Sequence, residues 1–279
     1  MWGLPDFSIL RTSLALAALL SAGFAVPPAE AAGGPVRIGG TGSSIGQMTR
    51  MAEAFVEQHP DIAVEVLPSL GSSGGIRALV DGVIDIAVAA RPLKPDEAAQ
   101  RLEAAPLSRT PIVMVSSYPQ SQSIAADDLA RIYANPGTRW PDGTPLRIIL
   151  RPKSDSDSAF LRERFEGMEA ALKEARSRPE VPVATTDQEN IALASQVAGS
   201  LTIASLAQVI SEQASVTIMP FDGMTPSLET LESGRYPFYK EMTIITREDS
   251  SEAVGSFIAF IGSERGRQVL RDTGSLPLR

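Results

Sequence analysis

The 279-residue chain has no cysteine and a single histidine, His59. Without cysteine there is no disulfide framework, no thiolate metal site, no cysteine nucleophile and no cysteine to carry a lipid. One histidine excludes a poly-histidine metal site, and Ser-His-Asp chemistry would have to run through His59. Positive charge is also in deficit. Lys and Arg number 25 against 33 Asp and Glu, a formal net charge of −8. That balance argues against non-specific nucleic-acid binding. What remains is an ordinary composition, 43% hydrophobic and 21% charged, unlike that of disordered, collagenous or coiled-coil chains. The length suits one large or two modest domains with a substantial core.

Long apolar runs are confined to the N-terminus. Arg11 precedes the run Leu14–Leu20, which continues through Ala22–Val26, and Ala29-Glu30-Ala31 offers a small-x-small cleavage site. Residues 1–31 therefore read as a cleaved signal peptide, although Asp6 is untypical of its charged region. The apolar stretch is shorter than the ~20 residues of a spanning helix, and Pro27-Pro28 follow it. The expected product is a periplasmic protein that is not lipid-anchored.

From Val36 onward, strand-like and helix-like segments alternate, the pattern of an α/β fold. Val36-Arg37-Ile38 leads into Gly39-Gly40-Thr41-Gly42-Ser43-Ser44, and Ile45, Met48, Ala52 and Phe55 then mark one helical face. Ile62, Val64 and Val66 alternate as a strand. The loop Gly71-Ser72-Ser73-Gly74-Gly75 opens a short helix, Ile76 to Val80. Val83–Val88 and Pro111–Val115 read as buried strands. Further on, Leu129–Tyr133 reads as helix, Leu146–Leu150 as strand and Ser154–Ser158 as a polar turn. One helical face is expected to continue through Leu161, Phe165, Met168 and Leu172, and Thr186–Glu189 forms a capping box. A strand from Tyr236 to Ile245 precedes two closing helices, Val254–Ile261 and Arg265–Arg271.

Three polar turns stand where a strand meets a helix: Thr41–Ser44, Ser72–Gly75 and Ser154–Ser156. The first N–H groups of a helix have no intrahelical partner and carry the positive end of its dipole. Glycine lets a ligand approach the backbone, and serine hydroxyls add donors that rotate. The combination suits an oxyanion, held by local dipoles that need no net positive protein. Ordinary capping accounts for the same residues: Ser44 with Gln47 fits a capping box. Both readings stand at this level. Arg91 and Arg151 each follow an apolar strand, where open α/β sheets bind ligands, and arginine can grip an oxyanion with two parallel bonds. No Walker loop or G-x-G-x-x-G run is present.

The runs Gly40–Ser44, Gly71–Ile76, Val83–Ala87 and Arg91-Pro92-Leu93, in that order and spacing, resemble the phosphate-binding protein family of ABC uptake systems. Leu129–Tyr133, Thr138-Arg139-Trp140, Tyr236-Pro237 and Gly274–Leu278 extend the likeness over nearly all of the chain beyond the leader. The resemblance implies a two-lobed type 2 periplasmic binding protein with a ligand cleft between the lobes and two hinge crossings. Its parts would be lobe 1 at residues 32–117, lobe 2 at 118–222 and a return to lobe 1 at 223–279. It implies a non-catalytic monomer without cofactor or metal. Its partners would be inorganic phosphate or a similar oxyanion and the membrane subunits of an ABC permease, with no nucleic acid. Sulfate, molybdate or tungstate, or a sensory role, are the alternative readings, and a serine-dependent phosphate-ester hydrolase is a third.

Carried over by position, Thr41, Gly42, Ser43 and Ser44 would make the first-turn contacts, and Ser72, Ser73 and Gly74 the second. Arg151 with Ser154, Asp155 and Ser156 would supply the other lobe. Two departures stand out. The family's usual aspartate after the third strand is replaced by Ala90, followed by Arg91. Asp155 occupies a place where the family's turn has glycine. The expectation is that Asp155 restores the missing proton acceptor, with Arg91 balancing its charge.

Overall fold

Each apolar run that the chain can bury on both faces becomes a strand, and most of the polar segments that follow become helix entrances. The computed structural model describes residues 34–278, so the expected signal peptide lies outside the described residues. The strands are β1 (Val36–Gly40), β2 (Val64–Val66), β3 (Ile86–Ala89), β4 (Leu102–Ser116), β5 (Arg147–Ile148), β6 (Ser200–Ser205), β7 (Thr217–Met219), β8 (Tyr239–Arg247) and β9 (Leu276–Pro277). The helices are α1 (Ile45–Val56), α2 (Gly71–Val80), α3 (Pro95–Ala98), α4 (Ala126–Ala134), α5 (Ser156–Arg164), α6 (Met168–Arg176), α7 (Asp187–Gln196), α8 (Leu206–Ser211), α9 (Leu228–Glu232), α10 (Glu252–Ile261) and α11 (Glu264–Asp272). None of them is long and apolar enough to cross a membrane.

The strands form one mixed sheet in the order β2-β1-β3-β8-β4-β6-β5, with β7 and β9 also pairing to β4. β1 runs parallel to β2 and β3, and β5 parallel to β6, as the helical connections between them require. β8 and β4 are antiparallel partners over Leu102–Pro111 and Tyr239–Arg247. Beyond that point β4 continues alone among β6 and β7. This one 15-residue strand therefore serves two packing environments.

The core divides accordingly. One cluster gathers Ile38, Met48, Phe55, Leu107, Met242 and Phe257. Another gathers Ile112, Tyr133, Leu161, Leu201, Phe221 and Tyr236. Along the chain, core membership changes between Leu107 and Ile112 and again between Tyr236 and Met242. Each fully buried Ile, Leu or Phe adds about 1.5–3 kcal/mol to whichever side it belongs.

Two local expectations are corrected. Gly71–Gly75 is not a loop before a helix but the first turn and a half of α2 itself. Its two serines and flexible glycines disguise a helix whose buried face begins only at Gly75 and Ile76. The continuous face from Leu161 to Leu172 is broken between α5 and α6, where Gly167 turns left-handed at φ 74°. Phe165 swings into extended backbone there and packs against Phe160, Phe221 and Phe238. The segments β6 and α8 carry no periodicity to read, because β6 (Ser-Leu-Thr-Ile-Ala-Ser) is buried at every position. Its hydroxyls are satisfied internally, Thr202 donating to the Ile149 carbonyl at 3.0 Å.

Candidate functional site

The first polar turn lies at the C-terminal end of β1. Gly40 has φ 129°, and any Cβ there would overlap the Val88 carbonyl of β3, so only glycine closes this strand. Gly75 is equally constrained, since a Cβ on it would lie 2.5 Å from the Gly40 Cα. This glycine pair lets α2 lie directly against the end of β1 and brings two helix entrances side by side. A short 3-10 turn over Gly42–Ser44 then feeds α1. Thr41, Ser43 and Ser44 are all buried.

The capping box expected of Ser44 and Gln47 does not form. Ser44 Oγ donates to the Thr41 carbonyl at 3.0 Å. The Gln47 amide donates instead to Thr273 Oγ1 at 2.7 Å and Ser275 Oγ at 3.0 Å. No side chain caps α1 or the turn before it. Thr41 Oγ1 and Ser43 Oγ share one hydrogen bond of 3.0 Å, so the pair keeps a hydroxyl proton to offer elsewhere.

In α2, Ser72 Oγ accepts the backbone N–H of Ala90 at 3.0 Å, which ties the helix entrance to the end of β3. Its own proton remains free to donate. Ser73 accepts from Arg91 Nη2 at 2.9 Å. Leu70, at the N-cap, supplies no side-chain cap, so the entrance of α2 is uncovered like that of α1.

Arg91 and Arg151 have different fates. Arg91 makes two 2.7 Å bonds to the Glu97 carboxylate in α3 and holds that carboxyl below the usual glutamate range. Its expected role as counter-charge to Asp155 is therefore overturned: a carboxylate six residues along takes the guanidinium first. Arg151 is only 3% exposed. Nη1 donates to the Ala184 carbonyl at 2.8 Å and Nη2 to Asp155 Oδ2 at 3.0 Å. Asp187 Oδ2 lies 3.4 Å from the same Nη2, and Asp157 Oδ2 4.0 Å from Nε.

The third turn caps a helix after all. Asp155 is the N-cap of α5, its Oδ1 accepting the Asp157 N–H at 2.9 Å. With Oδ2 on Arg151, both its oxygens already accept a hydrogen bond, so Asp155 serves here as a helix cap and an arginine partner, and not as a free acceptor balanced by Arg91. Ser154 is exposed and Ser156 opens α5 half-buried. Asp157, almost wholly buried, pairs with Lys240 of β8. Burial works to lower the Lys240 pKa, but the charges of Asp157, Asp187 and Asp155 outweigh it and hold the lysine above its ordinary value.

Asp187 and Gln188, the first residues of α7, join the two sides. A Cβ on Gly42 would lie 2.5 Å from Asp187 Oδ2, so the carboxylate rests against the glycine of the first turn. Gln188 Nε2 donates to the Gly42 carbonyl at 2.9 Å and to Glu212 Oε1 at 2.7 Å. Burial raises the Glu212 pKa, against the pull of hydrogen bonds from Gln188 and Gln208. Asp187, Gln188, Asp157, Lys240 and Glu212 were not among the sequence candidates. Thr186–Glu189 was legible only as a cap, and Thr186 does accept from Glu189 N at 3.1 Å.

The site thus has hydroxyls and uncapped helix entrances on one side, and a guanidinium among carboxylates on the other. Among the described residues, no group of His, Cys, Asp or Glu is arranged to hold a metal ion.

The fold is a mixed α/β fold of the type 2 periplasmic binding protein kind, and the chain belongs to the PBP superfamily: the sequence model of the family described as "PBP superfamily domain" matches residues 25–265. It is similar to the phosphate-binding protein PstS of Bacillus subtilis, 21% identical over 260 residues that cover 89% of this chain and 82% of that protein. Among solved structures it is similar to a candidate phosphate ABC transporter substrate-binding protein from Clostridium perfringens with bound phosphate. That likeness has a TM-score of 0.74 at 22% identity and covers 88% of this chain and all of the other. An ABC-type phosphate transport receptor from Vibrio cholerae matches at TM-score 0.60 and 22% identity, over 86% of this chain and 99% of its own. At these identities the structural likeness is one of fold.

Proposed function

We propose that this protein captures phosphate, or a related tetrahedral oxyanion, in the cleft between the α1 and α2 entrances and Arg151, and delivers it to an ABC permease from the periplasm. The observation that carries this reading is the pair of uncapped helix entrances locked together by Gly40 and Gly75 and joined through Asp187 to a buried arginine. Amide dipoles, the Ser43 and Ser72 hydroxyls and one guanidinium are the groups that recognise a compact oxyanion. The relatives' names as phosphate-binding proteins support the ligand class.

The protein works as two lobes that exchange within β4, between Leu107 and Ile112, and at the start of β8, between Tyr236 and Met242, instead of at residues 117/118 and 222/223, and that close on the ligand. It acts as a monomer and performs no chemical step. Ser43 is bonded to Thr41 and Ser72 accepts from Ala90, so neither hydroxyl has a general base as partner. His59 stacks on Phe55, with ring centroids 4.4 Å apart. A nucleophilic serine needs a base within hydrogen-bond reach.

Isothermal titration of the purified protein with phosphate, sulfate, molybdate and tungstate tests the proposal. Saturable binding of phosphate is expected, with Arg151→Met abolishing it. Binding of none of the four, or turnover of a chromogenic phosphate ester lost in Ser72→Ala, overturns it.

A further inference from the structure

Arg151 is surrounded by more negative charge than it can neutralise. Arg151 and Lys240 face Asp155, Asp157 and Asp187, and the roles of these carboxylates differ. Asp155 caps α5, and Asp157 is committed to Lys240 in the interior. Asp187 has neither duty. Thr186, not Asp187, caps α7. Its Oδ2 reaches Arg151 Nη2 on one wall and rests against Gly42 on the other. Gly42 is the position at which a ligand held by the first turn would touch the backbone.

We infer that the Asp187 carboxylate is a built-in competitor for the oxyanion, seated between Gly42 and Arg151 and displaced when ligand enters. The inference rests on the proposed binding reading and deepens it, making Asp187 an affinity-setting residue of the same site. A carboxylate carries the same kind of acceptor oxygens as phosphate, so it satisfies the same donors. Binding then exchanges one anion for another at Arg151, and the affinity reports the difference between them. Because Asp187 contacts both walls, it also draws them together, aided by the Gln188 amide on the Gly42 carbonyl. Glycine at 42 is part of the device, since a larger residue would collide with the carboxylate.

The test uses the full chain and two readouts. Calorimetric phosphate titration of Asp187→Asn and Asp187→Ser is expected to show binding at least tenfold tighter than wild type. Two variants are needed because an asparagine amide could donate to phosphate on its own account, whereas a serine is too short to bridge. The second readout needs no phosphate. Since the chain has no cysteine, spin labels can be placed at Lys94→Cys and Lys153→Cys, both exposed, and the distance between them measured by pulsed electron resonance in the ligand-free protein. Removing the Asp187 charge is expected to lengthen and broaden that distance. If wild type binds phosphate and both variants bind it equally or more weakly, the inference is overturned while the binding function stands. If no protein binds phosphate, sulfate, molybdate or tungstate, the function fails and the competitor falls with it; an unchanged label distance by itself overturns the bridging of the two walls by Asp187.

Discussion

The two walls of the cleft are built on opposite physical plans. One, made by Thr41–Ser44 and Ser72, carries no formal charge and relies on backbone donors fixed by the Gly40–Gly75 contact. The other, around Arg151, is a network of two cations and three carboxylates in which each group's charge is defined by its neighbours. The neutral wall's contribution is local and additive. The charged wall is collective, so a change at one member unbalances the rest. On the proposed function, selectivity for a compact anion would follow from the first, and affinity would be set by the second.

Breaking the charged wall has the largest expected effect. Arg151→Met leaves Asp155, Asp157 and Asp187 without their shared cation. Urea denaturation is expected to show a loss of about 3–5 kcal/mol, the usual cost of orphaning buried charge, together with loss of phosphate binding. A change below about 1 kcal/mol would mean the carboxylates are solvated and the network is not collective. On the neutral wall, Ser72→Ala removes the acceptor of the Ala90 N–H and one ligand donor. It is expected to cost about 1–3 kcal/mol and about tenfold in phosphate affinity, and unchanged affinity would remove Ser72 from the site.

Arg91 sharpens the contrast, because it lies beside the neutral wall yet belongs to neither. Arg91→Ala should cost about 1 kcal/mol through its lost pair with Glu97, a partly exposed bridge, and leave phosphate affinity unchanged. A tenfold loss of affinity would return it to the cleft. The smallest effect concerns Glu212, whose pKa is raised by burial where Gln188 meets it. A carboxyl with a folded-state pKa above its unfolded value binds a proton more tightly when folded. Stability relative to Glu212→Gln should therefore rise as pH falls through the range just above 4, and be lost above the raised value. Parallel stability–pH curves for the two proteins would contradict it.

Much of the neutral wall was readable in the sequence, and little of the charged one. Gly40-Thr41-Gly42-Ser43-Ser44 sits in one contiguous stretch, its strand and helix announced by Ile38 and by the spacing of Met48, Ala52 and Phe55. Arg151 could be singled out because it ends an apolar strand. Its partners could not. Asp187 comes 36 positions later and Lys240 89 positions later. Their proximity depends on β5, β6, α7 and β8 folding around one point. Asp187 looks like any acid in the first turn of a helix, where the dipole alone explains it. The fold itself was legible in its α/β alternation, except where burial was complete, as in β6, or where serine and glycine masked a helix, as in the start of α2.

On the proposed function, an oxyanion sits between the uncapped α1 entrance and Arg151. A crystal structure of the protein grown with phosphate tests it most directly. An anion is expected within hydrogen-bond distance of Arg151 and of Ser43 or Ser72, with Asp187 drawn back from Nη2. Phosphate bound elsewhere, or no anion in the cleft and the Arg151–Asp187 contact intact, would contradict it.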